Sequence, residues 1–278
     1  MSEQGWFAGL EPDDLEGQAA AIRDGRTEEP RDWPAEAIEA GFASDRASYY
    51  ERLHEAAIEA TRSEVREREG ADDRQLAHAI RAMDDLSQTG NEVAERVVEW
   101  AGSHFGETAD DTEYVREIAD RDPGDPVAER IVSLANRAVD VREEREALQA
   151  FVERQAPSVA PNLTMLAGPV LASRLIAIAG DLESLAKMPS GTVQVLGAES
   201  ALFAHLRGHA PSPKHGIIYT HEYVRGTRPA ERGSAARALA GKLAIAARID
   251  HYSGDRRPHL EAELEERMAR IRARGDEQ

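Results

Sequence analysis

Apolar residues recur at steps of three and four in two stretches of the chain, separated by the turn-rich segment GETADDTEYVREIADRDPGDP. This spacing is typical of helices that pack along a heptad seam. We therefore predict a long antiparallel helical hairpin, a coiled coil, over residues 71–155, with Arg145 in one seam position. The alternative is an ordinary helical bundle folded back on the rest of the chain. The seam residues assigned to coiled-coil association are Leu76, Ile80, Met83, Ile131, Leu134, Val141 and Leu148.

The flanking segments also favour helices, so the predicted fold class is mostly α. Residues 1–70 lack a β-branched run and form a reduced, short helical N-terminal region. Residues 156–257 are rich in Ala, Gly and aliphatic side chains and predict a compact α-helical domain, whose first helix Asn162 can cap. Its run HGIIYTH predicts a small extended hairpin. Residues 258–278 form a charged C-terminal helix or tail that is expected to fray.

Charge is distributed unevenly along the chain. The net charge of -18 divides into -21 over residues 1–160 (39 acidic, 18 basic), +5 over 161–259 (7 acidic, 12 basic) and -2 over 260–278 (6 acidic, 4 basic). The three lysines, Lys187, Lys214 and Lys242, all lie in the basic segment. A GC-rich genome explains the scarcity of lysine, but the acid excess favours adaptation to high salt. Charge attraction is then short-ranged, because the Debye length in molar salt is about 3 Å.

Several classes of protein are excluded by what the chain lacks. Cys is absent, which excludes disulfides and thiolate metal sites. The histidines match no metal-site spacing, and no nucleotide-binding glycine loop or nucleophile elbow occurs. The acidic start is not a secretory signal, and no run approaches a membrane span. We expect a cytoplasmic, soluble protein with no cofactor, metal, membrane partner or catalytic activity of its own.

Residues 156–255 contain a series of motifs that resemble a known protein family. The linked motifs APNLTMLAGPVLASRLIAIAGDLESLAKM, GAESALFAHL, PKHGIIY and RGSAARALAGKLAIAARIDHYSGD resemble the Nop domain, the core of box C/D ribonucleoprotein scaffold proteins. The hairpin from Asp72 also resembles that family, which extends the likeness to residues 72–255. With its acidic composition, the chain is similar to an archaeal member from a salt-loving organism.

The resemblance implies a non-catalytic scaffold. Its Nop domain would bind a box C/D guide RNA with a kink-turn, together with the small ribosomal-type protein that binds this kink-turn. The coiled coil would form a homodimer, and the N-terminal region would bind fibrillarin, the methyltransferase for guide-directed 2′-O-ribose methylation of ribosomal or transfer RNA. Two departures stand out: Ser200 and Ala204 replace the family's usual Lys and Arg, and only about 70 residues precede the coiled coil.

On this reading, the RNA- and protein-binding residues lie between 197 and 232. Gly197 and Ala198 allow close backbone approach, and amides at the start of the following helix can donate to phosphate. Lys214 and His215 lie on a loop that can contact phosphate and stack on an unpaired base. Glu199 is interpreted as a capping, ion-pairing or protein-contacting residue, and Phe203 is more simply a core residue. The full candidate set is Gly197, Ala198, Glu199, Ser200, Phe203, Arg207, Lys214, His215, Arg228 and Arg232.

Three readings compete with this one. Arg225, Arg228 and Arg232 are either a second RNA-facing patch or a solvated charge run. The chain as a whole could be a coiled-coil adaptor with weakened or lost RNA binding, as Ser200 and Ala204 suggest. An enzyme that uses Lys214 and His215 as an acid–base pair is the least supported, since no partner residue accompanies them.

Overall fold

The computed structural model of the chain describes residues 5–27, 29–107 and 112–276. In these residues the chain forms fourteen α-helices and one 3-10 helix, and no β-strand. The mostly α fold class is therefore confirmed. The chain divides into two compact units, residues 1–71 and residues 72–278.

The first unit is a small three-helix assembly with an aromatic core. Each helix begins after an aspartate whose side chain accepts a backbone N–H of the first turn. Phe7, Phe42 and Tyr49 are buried and pack with Trp6 and Trp33. Large aromatic side chains give this short segment enough apolar area for a core of its own. The helices are α1 (Leu15–Asp24), α2 (Trp33–Glu39) and α3 (Arg46–Glu69).

The second unit begins with the predicted helical hairpin. Two helices of 34 residues each, about 50 Å long, run antiparallel. Gly90 faces Val141 across the pair, and His104 Nε2 lies 2.9 Å from the Asp125 carboxylate at the far end. A short helix between them packs on the second long helix. These helices are α4 (Asp72–Phe105), α5 (Thr112–Ala119) and α6 (Pro126–Val159).

The remaining helices surround one central helix that is rich in small side chains. Its buried alanines, including Ala236, Ala240 and Ala247, let neighbouring helices approach closely, and Leu239 and Leu243 fill the space between them. The helices are α7 (Pro161–Ala167), α8 (Pro169–Ala179), α9 (Leu182–Lys187), α10 (Ser190–Val195), α11 (Glu199–Leu206), α12 (Glu222–Arg225), the central α13 (Arg232–Tyr252) and α14 (His259–Asp276).

The hairpin is attached to this helical assembly through charged side chains. The Arg174 guanidinium of α8 donates two hydrogen bonds to the Asp84 carboxylate of α4. Arg74 and Arg81 of α4 donate to carbonyl oxygens at the C-terminal end of α8, where unpaired carbonyls carry partial negative charge. The N-terminal half of α4 is thus fixed on α8.

The predicted capping role of Asn162 is wrong. Asn162 lies inside the first turn of α7, and the cap comes from Asp250 on α13. The Asp250 carboxylate accepts the backbone N–H groups of Asn162 and Leu163 at 3.0 and 2.8 Å. A buried carboxylate at a helix N-terminus satisfies donors that the helix itself leaves unpaired.

The predicted extended hairpin is also wrong in the described residues. Residues Ile217–Thr220 form a 3-10 helix, and the side chain of Ile218 in this helix is fully buried. Only the start of the segment pairs with another stretch: Gly216 and Ile217 donate to the carbonyls of Gln194 and Leu196. The chain then turns so that Ile218 enters the core, which a continued strand would not allow.

The C-terminal helix is not a frayed tail. In α14, Leu260, Leu264, Met268 and Ile271 are buried in the main core, while the charged residues between them face solvent. Their steps of four, four and three residues form one apolar stripe on a helix. Burial of this stripe holds α14 in place.

No single helix in the described ranges is long and apolar enough to cross a membrane. Helices α7 and α8 reach that composition only as a pair, and they are bent by 118° at their junction.

Candidate functional site

The centre of the candidate site is a pair of short extended segments, 194–197 and 214–217. Their backbones are joined by hydrogen bonds from Gly216 to Gln194 and from Ile217 to Leu196, and the Gln194 side chain donates to the Lys214 carbonyl at 2.7 Å. A Cβ at position 216 would lie 2.0 Å from the Leu196 oxygen. Only glycine permits this approach, so Gly216 brings the Lys214 loop beside the start of α11.

A glutamate closes the turn before α11. Gly197 has φ +81°, which favours glycine, and its N–H donates to Glu199 Oε1 at 2.8 Å. This geometry fits the capping interpretation of Glu199. The carboxylate occupies the Gly197 N–H, so this amide is not available to phosphate.

Helix α11 is exposed along its whole length. None of its residues is buried: Phe203 is 58% exposed and Leu206 is 71% exposed. The core interpretation of Phe203 is therefore wrong. Ser200 is also exposed, and Ala198 is half-buried at the helix start. The structure thus presents two large apolar side chains on the surface of a short helix.

Among the residues that the structure describes, two of the three lysines have a carboxylate partner and one has none. Lys187 pairs with Glu183, and Lys242 pairs with Glu263. In the part of the chain that the structure describes, the exposed Lys214 has no ion pair, and its stem lies against Gly233. A cation without an ion-pair partner can contact phosphate without first breaking an ion pair inside the chain.

Arg207 is a second exposed cation without an ion pair among the described residues. It follows α11 directly, while Gly197 precedes it. Helix α11 has eight residues and is about 12 Å long, and the two positions lie beyond its opposite ends. Gly197 belongs to the segment that pairs with the Lys214 loop, and Arg207 lies at the other end of α11.

The side chain of Arg232 is bound within the chain and does not extend freely into solvent. Its Nε donates to the Thr227 carbonyl at 3.0 Å, and its guanidinium lies 5.5 Å from the centre of the Tyr219 ring. Arg228 is exposed in the turn before α13. Sequence reasoning missed Tyr219 and Gly216. The only local signal for the close approach of segments 194–197 and 214–217 was a glycine, Gly216, followed by two apolar residues.

His215, which follows Lys214 on the same loop, stacks on Tyr219. Its ring and that of Tyr219 are nearly parallel, 21° apart, with centres separated by 4.6 Å. Partial burial, with the charges of Arg232 and Lys214, lowers the pKa of His215 below its usual value. The imidazole is therefore neutral at neutral pH.

The seam residues of the hairpin lie inside the chain. Leu76, Ile80 and Met83 join the main core, and Ile131 is buried between α4, α5 and α6. Leu134, Val141 and Leu148 are half-buried against the same interior. The seam thus holds the hairpin together: four of the seven residues are buried within the chain and three are half-buried.

An open groove of about 490 Å³ runs along the outside of the hairpin. Helices α4, α5 and α6 line this groove. The lining residues include the apolar Ala94, Val98 and Val139 and the charged Arg142 and Arg145. The groove is open to solvent, and its lining mixes apolar residues with polar and charged ones.

The site can be compared with known proteins. The family model described as "Nop: snoRNA binding domain, fibrillarin" matches residues 115–272, more than half of the chain, and includes α11, the Lys214 loop and α13. An uncharacterised NOP5 family protein of Methanocaldococcus jannaschii is 34% identical over 84% of this chain and 66% of its own length. Nucleolar protein 58 of Scheffersomyces stipitis is 34% identical over 73% of this chain and 48% of its own length.

Among solved structures, one titled as the crystal structure of a fibrillarin/NOP5P complex contains a similar chain. It has a TM-score of 0.54 and 25% identity, and the match covers 92% of each chain. The present chain spans less than two thirds of the length of the two protein relatives named above. The match of the family model over most of the second unit decides the assignment: the chain belongs to the Nop family.

Proposed function

We propose that the chain is a non-catalytic scaffold of a box C/D-type ribonucleoprotein. It binds a guide RNA with a kink-turn, together with the ribosomal-type protein on that kink-turn, and positions fibrillarin for guide-directed 2′-O-ribose methylation in the cytoplasm. The observation that carries this proposal is the match to a snoRNA binding domain over residues 115–272, which contain the exposed surface of α11 and the Lys214 loop.

The RNA contact is supported by the cations that have no internal role. Lys214 and Arg207 are exposed and without ion pairs in the described residues, whereas Lys187 and Lys242 are bound to carboxylates. Phosphate contacts position a protein on RNA, and each adds to the salt dependence of binding.

The contact with the kink-turn protein is supported by the apolar face of α11. Phe203 and Leu206 are too exposed to serve the chain's own core. At Ser200 and Ala204 the chain lacks the two cations of the usual family motif. A contact that relies on apolar area is insensitive to screening, which suits a chain with this acid excess.

Self-association is proposed through the groove on the outside of the hairpin. A second hairpin laid on α4, α5 and α6 would cover Ala94, Val98 and Val139. The fibrillarin contact is proposed for the first unit, because the similar solved chain comes from a fibrillarin/NOP5P complex.

A gel-shift experiment tests the RNA–protein contact. The full chain is added to guide RNA already bound by the kink-turn protein, at about 0.5 M and about 3 M KCl to span weak and strong screening. We expect a supershift in both conditions. Absence of a supershift with the wild-type chain rules the proposal out.

Matched lysine variants identify the contact. Lys214→Ala should weaken the ternary complex and lower the salt slope by about one, while Lys187→Ala, which makes the same charge change on α9, should not. If the two variants behave alike, the charge of Lys214 makes no specific contact.

The second candidate is a coiled-coil adaptor with weakened or lost RNA binding, and Ser200 and Ala204 favour it. The Ser200→Lys/Ala204→Arg double variant separates the two functions. If only this variant gives a supershift, the native chain is an adaptor. For fibrillarin, a pull-down compares the full chain with residues 72–278, and loss of capture in the shorter chain assigns the contact to the first unit.

A further inference from the structure

The Tyr219 ring contacts both the His215 ring and the guanidinium of Arg232 at the edge of the candidate site. We propose that His215 binds one unpaired RNA base by stacking. This inference rests on the proposed function and goes further, because it names the chemical group of the RNA that the loop holds and the side chain that holds it.

These contacts are already formed in the chain. Arg232 lies 5.5 Å from the Tyr219 ring centre, and Tyr219 lies 4.6 Å from the His215 ring centre at an angle of 21°. Arg232 is itself held by hydrogen bonds to the carbonyls of Thr227 and Arg225. A side chain fixed in this way loses little entropy when a ligand arrives, which favours binding.

The His215 ring has the chemistry needed to stack on a base. His215 is only partly buried, so its ring remains accessible although Tyr219 covers one face. The nearby charges of Arg232 and Lys214 disfavour the imidazolium form. A neutral heteroaromatic ring can stack on any of the four bases, and RNA recognition uses such rings for bases outside the helix.

The neighbouring residue supplies the second half of a nucleotide site. Lys214 precedes His215, is exposed and has no ion pair in the described part of the chain. Its carbonyl is fixed by Gln194, and its stem lies against Gly233 at the start of α13. A base on His215 and its phosphate on Lys214 would thus be bound by adjacent residues of one anchored loop.

The test uses guide RNA with the fluorescent base 2-aminopurine at each unpaired position in turn, the kink-turn protein and the full chain. We expect quenching at one position when the wild-type chain binds. His215→Leu should abolish that quenching and weaken binding about five- to 150-fold, the range found for loss of one base–aromatic stack. His215→Phe keeps a flat aromatic ring and should retain both the quenching and the binding affinity.

Two comparisons separate stacking from charge and from folding. At about 3 M KCl the defect of His215→Leu should persist, while that of Lys214→Ala shrinks, because only charge attraction is screened. His209→Leu, an exposed histidine outside the stack, is the matched control. Thermal unfolding of each variant shows whether the fold is retained.

The stacking site is wrong if His215→Leu binds and quenches like the wild type, or if His215→Phe loses binding as fully as His215→Leu. In both cases the supershift of the wild-type chain would still support the scaffold function. If the wild-type chain gives no supershift, the scaffold function and the stacking site fail together.

Discussion

Asp250 and Asn162, 88 residues apart in the chain, are joined by two hydrogen bonds at the start of α7, and a third joins Asp250 to Leu163. The Asp250 carboxylate accepts from Nδ2 of Asn162 at 2.6 Å, from its backbone N–H and from that of Leu163. Asn162 also accepts the Arg257 N–H through its Oδ1. This pair connects α7, α13 and the approach to α14 in one buried network.

Asp250→Ala should lower the free energy of unfolding by about 3 kcal/mol, because it leaves buried donors without an acceptor. Urea denaturation of the full chain measures the loss. Asp255→Ala removes an exposed carboxylate nearby and should cost less than about 0.5 kcal/mol. Equal costs would show that the buried network contributes nothing.

Truncation of the α14 stripe should destabilise the second unit. Leu264 is almost fully buried, so Leu264→Ala should cost about 3 kcal/mol by lost burial and an unfilled cavity. Glu265→Ala, on the exposed side of the same helix, should be nearly neutral. Calorimetric midpoints of both variants provide the comparison, and a neutral Leu264→Ala would mean that α14 does fray.

Stability should fall below about pH 6.5 through His221. Its Nδ1 accepts the Tyr223 N–H, so its proton lies on Nε2, toward the Leu166 carbonyl. Burial lowers the pKa of His221 in the folded state. The unfolded chain therefore binds a proton at a higher pH than the folded chain does, and stability is lost as pH falls from the ordinary histidine pKa to the folded one.

His221→Gln should reduce that pH dependence, because the amide can donate and accept but does not titrate in this range. Urea midpoints at about pH 7.5 and about pH 5 test this expectation. Identical pH dependence in the variant and the wild type would assign the effect to other groups.

The hairpin should respond differently to changes in its seam and in its groove. Ile131→Asp places a carboxylate in the interior and should cost more than about 3 kcal/mol of stability. Ala94→Arg, in the groove, should leave stability within about 0.5 kcal/mol and convert dimers to monomers. Light scattering and urea denaturation report the two effects, and dimers that persist in Ala94→Arg would exclude the groove as the interface.

The helices of this protein could be predicted wherever one apolar stripe repeats at helical spacing. Leu76, Ile80 and Met83 gave such a stripe and are buried as expected. The four apolar residues of α14 also recur at helical spacing, but the many charged residues between them led to the prediction of a frayed tail. The 3-10 helix at Ile218 could not be predicted, since a short apolar run after glycine fits a strand equally well.

The candidate site depended more strongly on tertiary structure. The sequence showed three lysines in one segment, but only the folded chain shows that Glu183 and Glu263 occupy two of them. Burial preference predicted Phe203 in the core, and the exposed position of α11 overrides it. The cap that Asp250 gives to α7 crosses 88 residues, which no local pattern can reveal.

The unequal pairing of the lysines has a chemical consequence. The hydrogen bond from Lys187 to Glu183 raises the pKa of that ammonium group, and the Glu263 ion pair holds Lys242. An amine-selective reagent at limiting dose should therefore acylate Lys214 first among the side-chain amines. A fluorophore or photo-crosslinker could be attached there without a cysteine, in a chain that has none.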